Sequence, residues 1–307
     1  MRYSCLHTHT LFCDGADDVE TYCRRAWEKG LHSLGFSAHG PLTGKTGIRT
    51  DWNIREDRLP EYLDTVRDAR RRWEGKLRIY LGLEADFIPG LTGPTDREYR
   101  EMGLDYLIGS VHFIIPPKGP PFEIDGQWEE LERGIREGFN GDGEALARTY
   151  WDNVAAMIAA GGFDILGHMD LIKKNNAPKA GCGPASPPLN RVVNRIFDPQ
   201  NPDYLRRGGE IVRAAAKAGL VVEVNTGGIN RGKIDETYPS PAFLKIFREN
   251  AVPALVSADA HRAEDLDGHY DKALETLLAA GYVETVLFEG KDRGRARWVK
   301  EPLPGRT

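Results

Sequence analysis

Two histidines near the N-terminus, His7 and His9, have a spacing that suits metal binding. They stand two residues apart and follow a short hydrophobic run that begins at Tyr3. Side chains of a β-strand alternate between its faces, so a strand here would place both imidazoles on one face. Two adjacent imidazoles at a strand end form half of a metal site. A chance pair of surface histidines gives the same pattern, so the choice between a metal site and a chance pair depends on other residues.

Most of the other histidines, and several carboxylates, also fall where predicted strands end. Six of the eight histidines take part, whereas His32 and His269 lie outside the pattern and are interpreted as ordinary surface residues. The strand-end residues are His7, His9, His39, Glu84, His112, His168, Asp259 and His261. Because the C-terminal ends of barrel strands carry the active site, this distribution predicts that these side chains meet.

The mixture of side chains at these positions narrows the choice of metal. Neutral imidazoles with a few carboxylates suit Zn, Mn or Fe rather than Mg or Ca. The set, with Asp14 as a further candidate, exceeds what one tetrahedral ion can use, so two or three divalent transition metals are expected. Glu84 has two oxygens and can bridge two ions. Clustered metals favour phosphate ester cleavage, since they generate hydroxide at neutral pH and neutralise an anionic substrate.

The elements that must position these residues follow a regular order, in which predicted strands and helices alternate without a linker. The strands are predicted at 2–7, 34–38, 77–83, 105–111, 164–166, 220–225 and 253–257. This order favours one parallel α/β barrel and a single domain over residues 1–307. An open doubly wound sheet is the alternative, but no GxGxxG or P-loop motif supports it.

The predicted helices fill the intervals between the strands. They are expected at 19–27, 59–73, 96–102, 128–138, 144–160, 204–218, 241–250 and 270–280. Asp17 and Asp18 are the expected N-cap residues of the first helix. An irregular loop is predicted at 175–188, because Pro, Gly and Asn are frequent there, and a last extended piece is predicted at 283–288.

The composition argues against several classes of protein. The net charge of −5 and the pI near 6.0 argue against general nucleic-acid affinity. No secretion signal is visible and no apolar run reaches the length of a membrane span, so a soluble cytoplasmic protein is expected. The four cysteines include no CxxC pair, which predicts free thiols rather than disulfides.

Six short motifs together resemble the PHP (polymerase and histidinol phosphatase) superfamily. In chain order they are His7-Thr-His9-Thr with Asp14-Gly15, Ala38-His39-Gly40, Gly82-Leu-Glu84, Gly109-Ser-Val-His112, Gly167-His168 and Asp259-Ala-His261. The resemblance implies a distorted (β/α)7 TIM-like barrel of the PHP type with a trinuclear metal centre. It groups the ligands as His7, His9, Glu84 and Asp259, then Asp14, His39 and His261, then His112, His168 and the bridging Glu84. At position 14 a turn cap is an equally good interpretation.

Longer stretches are similar to the histidinol phosphatase branch of this superfamily. They are 82–87, 108–113, 167–174, 225–232 and 238–241. This resemblance implies a metal-dependent phosphomonoesterase that hydrolyses L-histidinol phosphate to L-histidinol and phosphate, a late step of histidine biosynthesis. The hypothesis takes a metal-bridging hydroxide as the nucleophile and leaves the acid for the leaving group unassigned.

Three polar residues near the predicted strand ends are candidates for binding the substrate. The cations of Lys173 and Arg231 can reach the phosphate, with solvated loop cations as the alternative, and Asn225 can form a hydrogen bond with the substrate or hold the turn. The substrate also has an amine and an imidazole, which need an acidic or aromatic partner. The candidates for that partner are Asp86, Asp170, Trp52 and Phe113.

Two other functions share the same metal-ligand pattern. One is a PHP phosphodiesterase, nuclease or nucleotide phosphatase, for which a basic groove would be expected. The other is a non-catalytic metal-stabilised barrel, for which lost ligands would be expected, whereas the ligand set here looks complete. A small phosphorylated substrate, with no nucleic-acid or membrane partner, is therefore the favoured hypothesis. One sequence leaves the oligomeric state open.

Overall fold

The central feature of the molecule is a sheet of seven parallel strands that pair in chain order. The computed structural model describes residues 1–42, 44–176 and 195–305. The strands are Ser4–Cys5, Ser33–Phe36, Arg78–Asp86, Tyr106–Ser110, Ile165–Leu166, Val221–Asn225 and Ala254–Ser257. Because parallel neighbours need crossover connections, helices join most of these strands and cover the sheet.

The first and seventh strands meet and close the sheet. Thr8 forms a parallel bridge with Ala260. Within it, the His9 N–H donates to the Ala260 carbonyl at 2.9 Å and the Ala260 N–H donates to the His7 carbonyl at 3.0 Å. The predicted barrel of the (β/α)7 type is therefore confirmed, and the alternative of an open doubly wound sheet is wrong.

Amphipathic helices pack one face against the barrel. In Val19–Glu28 the buried positions are Val19, Tyr22, Cys23 and Ala26, which share one face at the helical period. The Asp18 carboxylate caps this helix by accepting the Thr21 N–H at 2.7 Å, whereas Asp17 accepts the N–H of Ala263. One of the two predicted cap residues is thus the cap.

Eight of the α-helices in the described residues agree with their predicted bounds to within a few residues, whereas Gly227–Asn230 was not predicted. The α-helices are Val19–Glu28, Leu59–Arg72, Arg97–Glu101, Trp128–Gly138, Gly143–Ala160, Pro202–Ala218, Gly227–Asn230, Pro241–Glu249 and Tyr270–Ala279. Short 3-10 helices occupy Gly44–Thr46, Glu56–Arg58, Leu171–Asn175 and Ala263–Asp265. None of the helices in the described residues is long and apolar enough to cross a membrane.

A C-terminal hairpin closes the end of the barrel at which the strands begin. Its strands are Glu284–Asp292 and Arg295–Pro302, and they pair in antiparallel fashion. The fully buried Phe288 and the buried Val286 join a cluster of side chains from the barrel strands. The cluster also contains Leu6, Tyr106, Ile108, Ile165, Val221 and Leu255. Only the first strand of this hairpin was expected, at 283–288.

A second hairpin, which the predicted strands did not include, lies at the opposite end of the barrel. Its strands are Phe113–Ile114 and Phe122–Glu123. The irregular loop predicted at 175–188 lies almost entirely outside the described residues, as does Cys182. Cys5, Cys13 and Cys23 are free thiols, as expected.

Candidate metal centre

All nine predicted metal ligands lie in one cluster at the C-terminal ends of the barrel strands. Seven of them are buried, with relative exposures of at most 7%: His7, His9, His39, Glu84, His112, His168 and Asp259. Asp14 and His261 lie at the edge of the cluster, with side-chain exposures of 32% and 22%. The alternation of the first strand places His7 and His9 together, with ring centroids 5.1 Å apart.

The first and last strands contribute one group of these residues. His7 Nε2 lies 3.1 Å from Glu84 Oε2, and His9 Nε2 lies 3.2 Å from Asp259 Oδ1. His9 Nε2 is also 3.7 Å from Glu84 Oε2. The short distance between His9 and Asp259 depends on the closure of the barrel, because the strands before these two residues are at opposite ends of the chain.

A second group lies at the edge of the cluster, where Asp14 meets two histidines. Asp14 Oδ2 is 2.9 Å from His261 Nε2, and Asp14 Oδ1 is 3.9 Å from His39 Nε2. His9 belongs to this group as well, because its ring is stacked on that of His261 at 4.3 Å. Asp14 therefore faces imidazoles, and the cap of the following helix is Asp18.

The two oxygens of Glu84 face different histidines. Oε2 points to His7 and to His39 Nδ1, which is 3.0 Å away. Oε1 accepts a hydrogen bond from Ser110 at 2.6 Å and lies 2.8 Å from His168 Nε2 and 3.6 Å from His112 Nε2. A carboxylate in this position can bridge two ions, as the sequence pattern predicts.

Two buried carboxylates contact the Nδ1 atoms of His7 and His112 and so fix the orientation of these rings. Glu223 Oε2 is 2.9 Å from His7 Nδ1, and Asp86 Oδ1 is 2.7 Å from His112 Nδ1. A carboxylate on one ring nitrogen leaves the other nitrogen free to bind a metal. Asp86 also accepts a hydrogen bond from Asn53, so both of its oxygens have partners in the protein, and its suggested role as a partner of the substrate stays a prediction.

Sequence reasoning missed Glu223 because no motif includes it. It stands between Val222 and Val224 in the strand Val221–Asn225 and is fully buried. A charged residue in the middle of a buried strand is rarely tolerated without partners. The glutamate within this strand was therefore the one indication in the sequence that Glu223 has a role at the site.

Burial and neighbouring charges set the protonation of the cluster. Burial and the charges of His261 and His39 lower the pKa of His9 to about 3. Burial opposes the charged form of Glu84, but His7 and His39 outweigh it and lower the pKa of this carboxyl well below its ordinary value. The carboxylates in turn outweigh burial at His7, His39 and His112 and raise the pKa of these imidazoles. Divalent metals bind neutral imidazoles and ionised carboxylates, so metal binding at these histidines would release protons.

The donor atoms of the cluster fit a bound metal. Several buried atoms have no hydrogen-bond partner in the described residues, and four of them face Glu84 or belong to it: His7 Nε2, His9 Nε2, His39 Nδ1 and Glu84 Oε2. Each buried polar atom without a partner costs about 1–3 kcal/mol. Transition metal ions coordinated by these nitrogen and oxygen atoms would remove that cost.

A cavity of about 690 Å³ opens onto the cluster. Arg231 lines it, and its Nη2 lies 3.0 Å from Asp259 Oδ2. Arg231 is thus the predicted substrate-binding residue that the structure brings to the site. The described wall of the cavity also includes Trp52 and Lys174.

The other two predicted substrate-binding residues do not line this cavity. The Lys173 ammonium is buried and donates to Glu236 Oε1, the Thr237 carbonyl and Ser240 Oγ at 2.8, 2.8 and 2.9 Å. A 3-10 helix turns successive residues in different directions, so Lys174 rather than Lys173 reaches the cavity. Lys173 thus anchors the loop in this structure, and its contact with the substrate stays a prediction.

Asn225 likewise has an internal role. Its side chain is fully buried, donates to Glu223 Oε1 at 2.9 Å and accepts the Gly227 N–H at 2.8 Å. These bonds fix the turn after the sixth barrel strand and orient Glu223. The expected contact between Asn225 and the substrate stays a prediction.

Comparison with known proteins finds sequences similar to this one over most of the chain. The family profile described as PHP domain matches residues 6–227. A Deinococcus radiodurans protein named "Probable histidinol-phosphatase" is 28% identical over 276 residues, covering 90% of this chain and 92% of that protein. The histidinol-phosphatase of Bacillus subtilis is 24% identical over 287 residues, covering 88% and 97%.

A solved structure has a similar fold. It is the crystal structure of histidinol phosphate phosphatase from Lactococcus lactis subsp. lactis, complexed with zinc, L-histidinol and phosphate. The TM-score is 0.64 and the identity 20%, and the match covers 95% of this chain and 99% of that chain.

Proposed function

The chain belongs to the PHP domain family, and we propose that it is a metal-dependent phosphomonoesterase that hydrolyses L-histidinol phosphate to L-histidinol and phosphate. The names of the relatives support this substrate, as does the L-histidinol and phosphate held by the Lactococcus lactis protein. The reaction is a step of histidine biosynthesis. A single catalytic domain over residues 1–307 and a cytoplasmic location are part of the same proposal.

The observation that carries the proposal is the set of buried, unpartnered nitrogen and oxygen atoms around Glu84, beside an open cavity. We assign two or three divalent ions, of Zn, Mn or Fe, to this cluster. The zinc in the Lactococcus lactis protein supports the first of these metals. The proposed ligand groups are His7, His9, Glu84 and Asp259; Asp14, His39 and His261; and His112, His168 and Glu84.

The chemistry divides between the ions and the chain. Bound ions of this type neutralise phosphoryl oxygens and lower the pKa of water enough to supply a nucleophile at neutral pH. Arg231 presents its guanidinium to the cavity, where it binds phosphoryl oxygens and remains anchored by Asp259. Glu223 and Asp86 fix the rings of His7 and His112, so that the donor geometry exists before the substrate arrives.

A phosphate-release assay on the metal-loaded protein tests this function. The substrates are L-histidinol phosphate, a dinucleotide and a 3′-phosphorylated nucleotide, and the control is the same protein treated with a chelator. We expect metal-dependent release of phosphate from L-histidinol phosphate and little reaction with either nucleotide. Cleavage of a nucleotide without release of phosphate from L-histidinol phosphate would replace the proposal with a nuclease or nucleotide phosphatase.

A further inference from the structure

One wall of the cavity is lined by Trp52 and by Glu123, which belongs to the hairpin Phe113–Ile114 with Phe122–Glu123. The indole of Trp52 stacks on the buried Phe113 with centroids 5.5 Å apart and planes 14° apart. Its N–H donates to Glu123 Oε1 at 2.9 Å. These two contacts fix the indole and the carboxylate relative to each other.

This wall lies directly beside the proposed metal ligands. The ring of Trp52 meets His39 and His112 edge to face, at centroid distances of 4.5 and 5.4 Å. Trp52, Glu123 and the two histidines all line the same cavity. A molecule whose phosphate lies at the metal ligands can therefore extend its other end along Trp52 and Glu123.

The carboxylate of Glu123 stands out among the charged side chains of the cavity. Outside the proposed ligands the cavity is lined by four carboxylates, Asp51, Glu123, Asp125 and Glu130, and by three cations, Arg49, Lys174 and Arg231. Asp125 is paired with Lys174 at 2.9 Å, but Glu123 has no cationic partner within the described part of the chain. Burial raises the pKa of Glu123, the Trp52 N–H lowers it, and the charge of Asp125 raises it further. A cation beside Glu123 would offset this repulsion.

We infer that Trp52 and Glu123 form the subsite that binds the cationic end of the substrate. This inference rests on the proposed function, whose substrate has a phosphate at one end and an amine and an imidazole at the other. Glu123 Oε1 accepts the indole N–H, which leaves Oε2 for a charged N–H donor of the substrate. The face of an indole also attracts cations, so Trp52 and Glu123 both favour a positively charged group of the substrate.

The alternative partners suggested by the sequence do not compete for this role. Asp170 is fully buried and accepts the N–H and hydroxyl of Ser240. Phe113 is buried beneath Trp52. Of the four candidates, Trp52 is therefore the one that reaches the cavity.

The test compares cationic and neutral phosphomonoesters on metal-loaded protein. L-Histidinol phosphate is paired with phenyl phosphate, and phosphoethanolamine with ethyl phosphate. Glu123→Gln retains an oxygen for the Trp52 N–H but removes the charge. We expect it to lower kcat/KM for the cationic esters about ten- to a hundredfold, as for loss of a charged hydrogen bond, and to change the neutral esters less than about twofold.

The matched control is Glu129→Gln, an exposed residue of the adjacent helix that does not line the cavity. It should leave both classes of ester unchanged, and metal content should be equal in all three proteins. Wild-type protein that prefers phosphoethanolamine but leaves L-histidinol phosphate intact would contradict the proposed function alone. The inference is overturned if the wild type has no preference for cationic esters, or if Glu123→Gln lowers both classes equally.

Discussion

At the scale of single residues, Glu223 connects four of the strand ends that form the cluster. It accepts hydrogen bonds from His7 Nδ1, the His168 N–H, Asn225 Nδ2 and Ser257 Oγ, at 2.6 to 2.9 Å. A buried carboxylate with four donors is fully satisfied and therefore stable as an anion. Its charge also favours binding of a cation at His7.

Glu223→Gln should weaken metal binding by about ten- to a hundredfold, because it removes the negative charge behind the ligand His7. The measurement is metal retained after dialysis against a fixed concentration of chelator, with the melting temperature of the metal-free protein recorded in parallel. Glu275→Gln, an exposed change on the last helix, is the control. Metal retention equal to that of the control would show that Glu223 does not act through the metal site.

The residue scale also shows where sequence reasoning succeeded and where it did not. The grouping of the nine proposed ligands could be predicted because strand ends in a barrel all point to one rim, so spacing along the chain was sufficient to bring them together. The direction of the Lys173 side chain could not be predicted, because in a short 3-10 helix it depends on packing. Glu223 was missed because its role exists only through contacts with distant residues.

At the scale of elements, the seven barrel strands were predictable and the two hairpins were not. Buried parallel strands are continuous apolar runs, which the sequence displays. In the strand Arg295–Pro302 most side chains are at least partly exposed, so there is little apolar periodicity to detect. The short strands Phe113–Ile114 and Phe122–Glu123 are set by tertiary contacts, such as those of Phe113 and Glu123 with Trp52, which local pattern does not encode.

The C-terminal hairpin should contribute strongly to stability because Phe288 fills the closed end of the barrel. Phe288→Ala is expected to lower the free energy of unfolding by about 3–5 kcal/mol. Chemical denaturation measures this loss, with Val283→Ala, at a side chain 68% exposed, expected to change it by less than about 0.5 kcal/mol. A loss below about 1 kcal/mol for Phe288→Ala would contradict this role of the hairpin.

At the scale of the whole molecule, closure of the barrel completes the cluster. The PHP profile ends at residue 227, yet Asp259 and His261 from the seventh strand lie against His9. Residues separated by about 250 positions in sequence thus share one group of donor atoms. The complete donor set therefore exists only in the closed barrel, which links folding of the full chain to the proposed function.

Metal analysis of three purified proteins tests the central claim most directly. His9 belongs to two of the donor groups, so His9→Ala should lose at least one ion, whereas His269→Ala removes a histidine outside the cluster. Elemental mass spectrometry should give two or three transition metal ions per chain for the wild type and His269→Ala, and fewer for His9→Ala, with loss of its phosphatase activity. Equal metal content and full activity in His9→Ala would contradict the account.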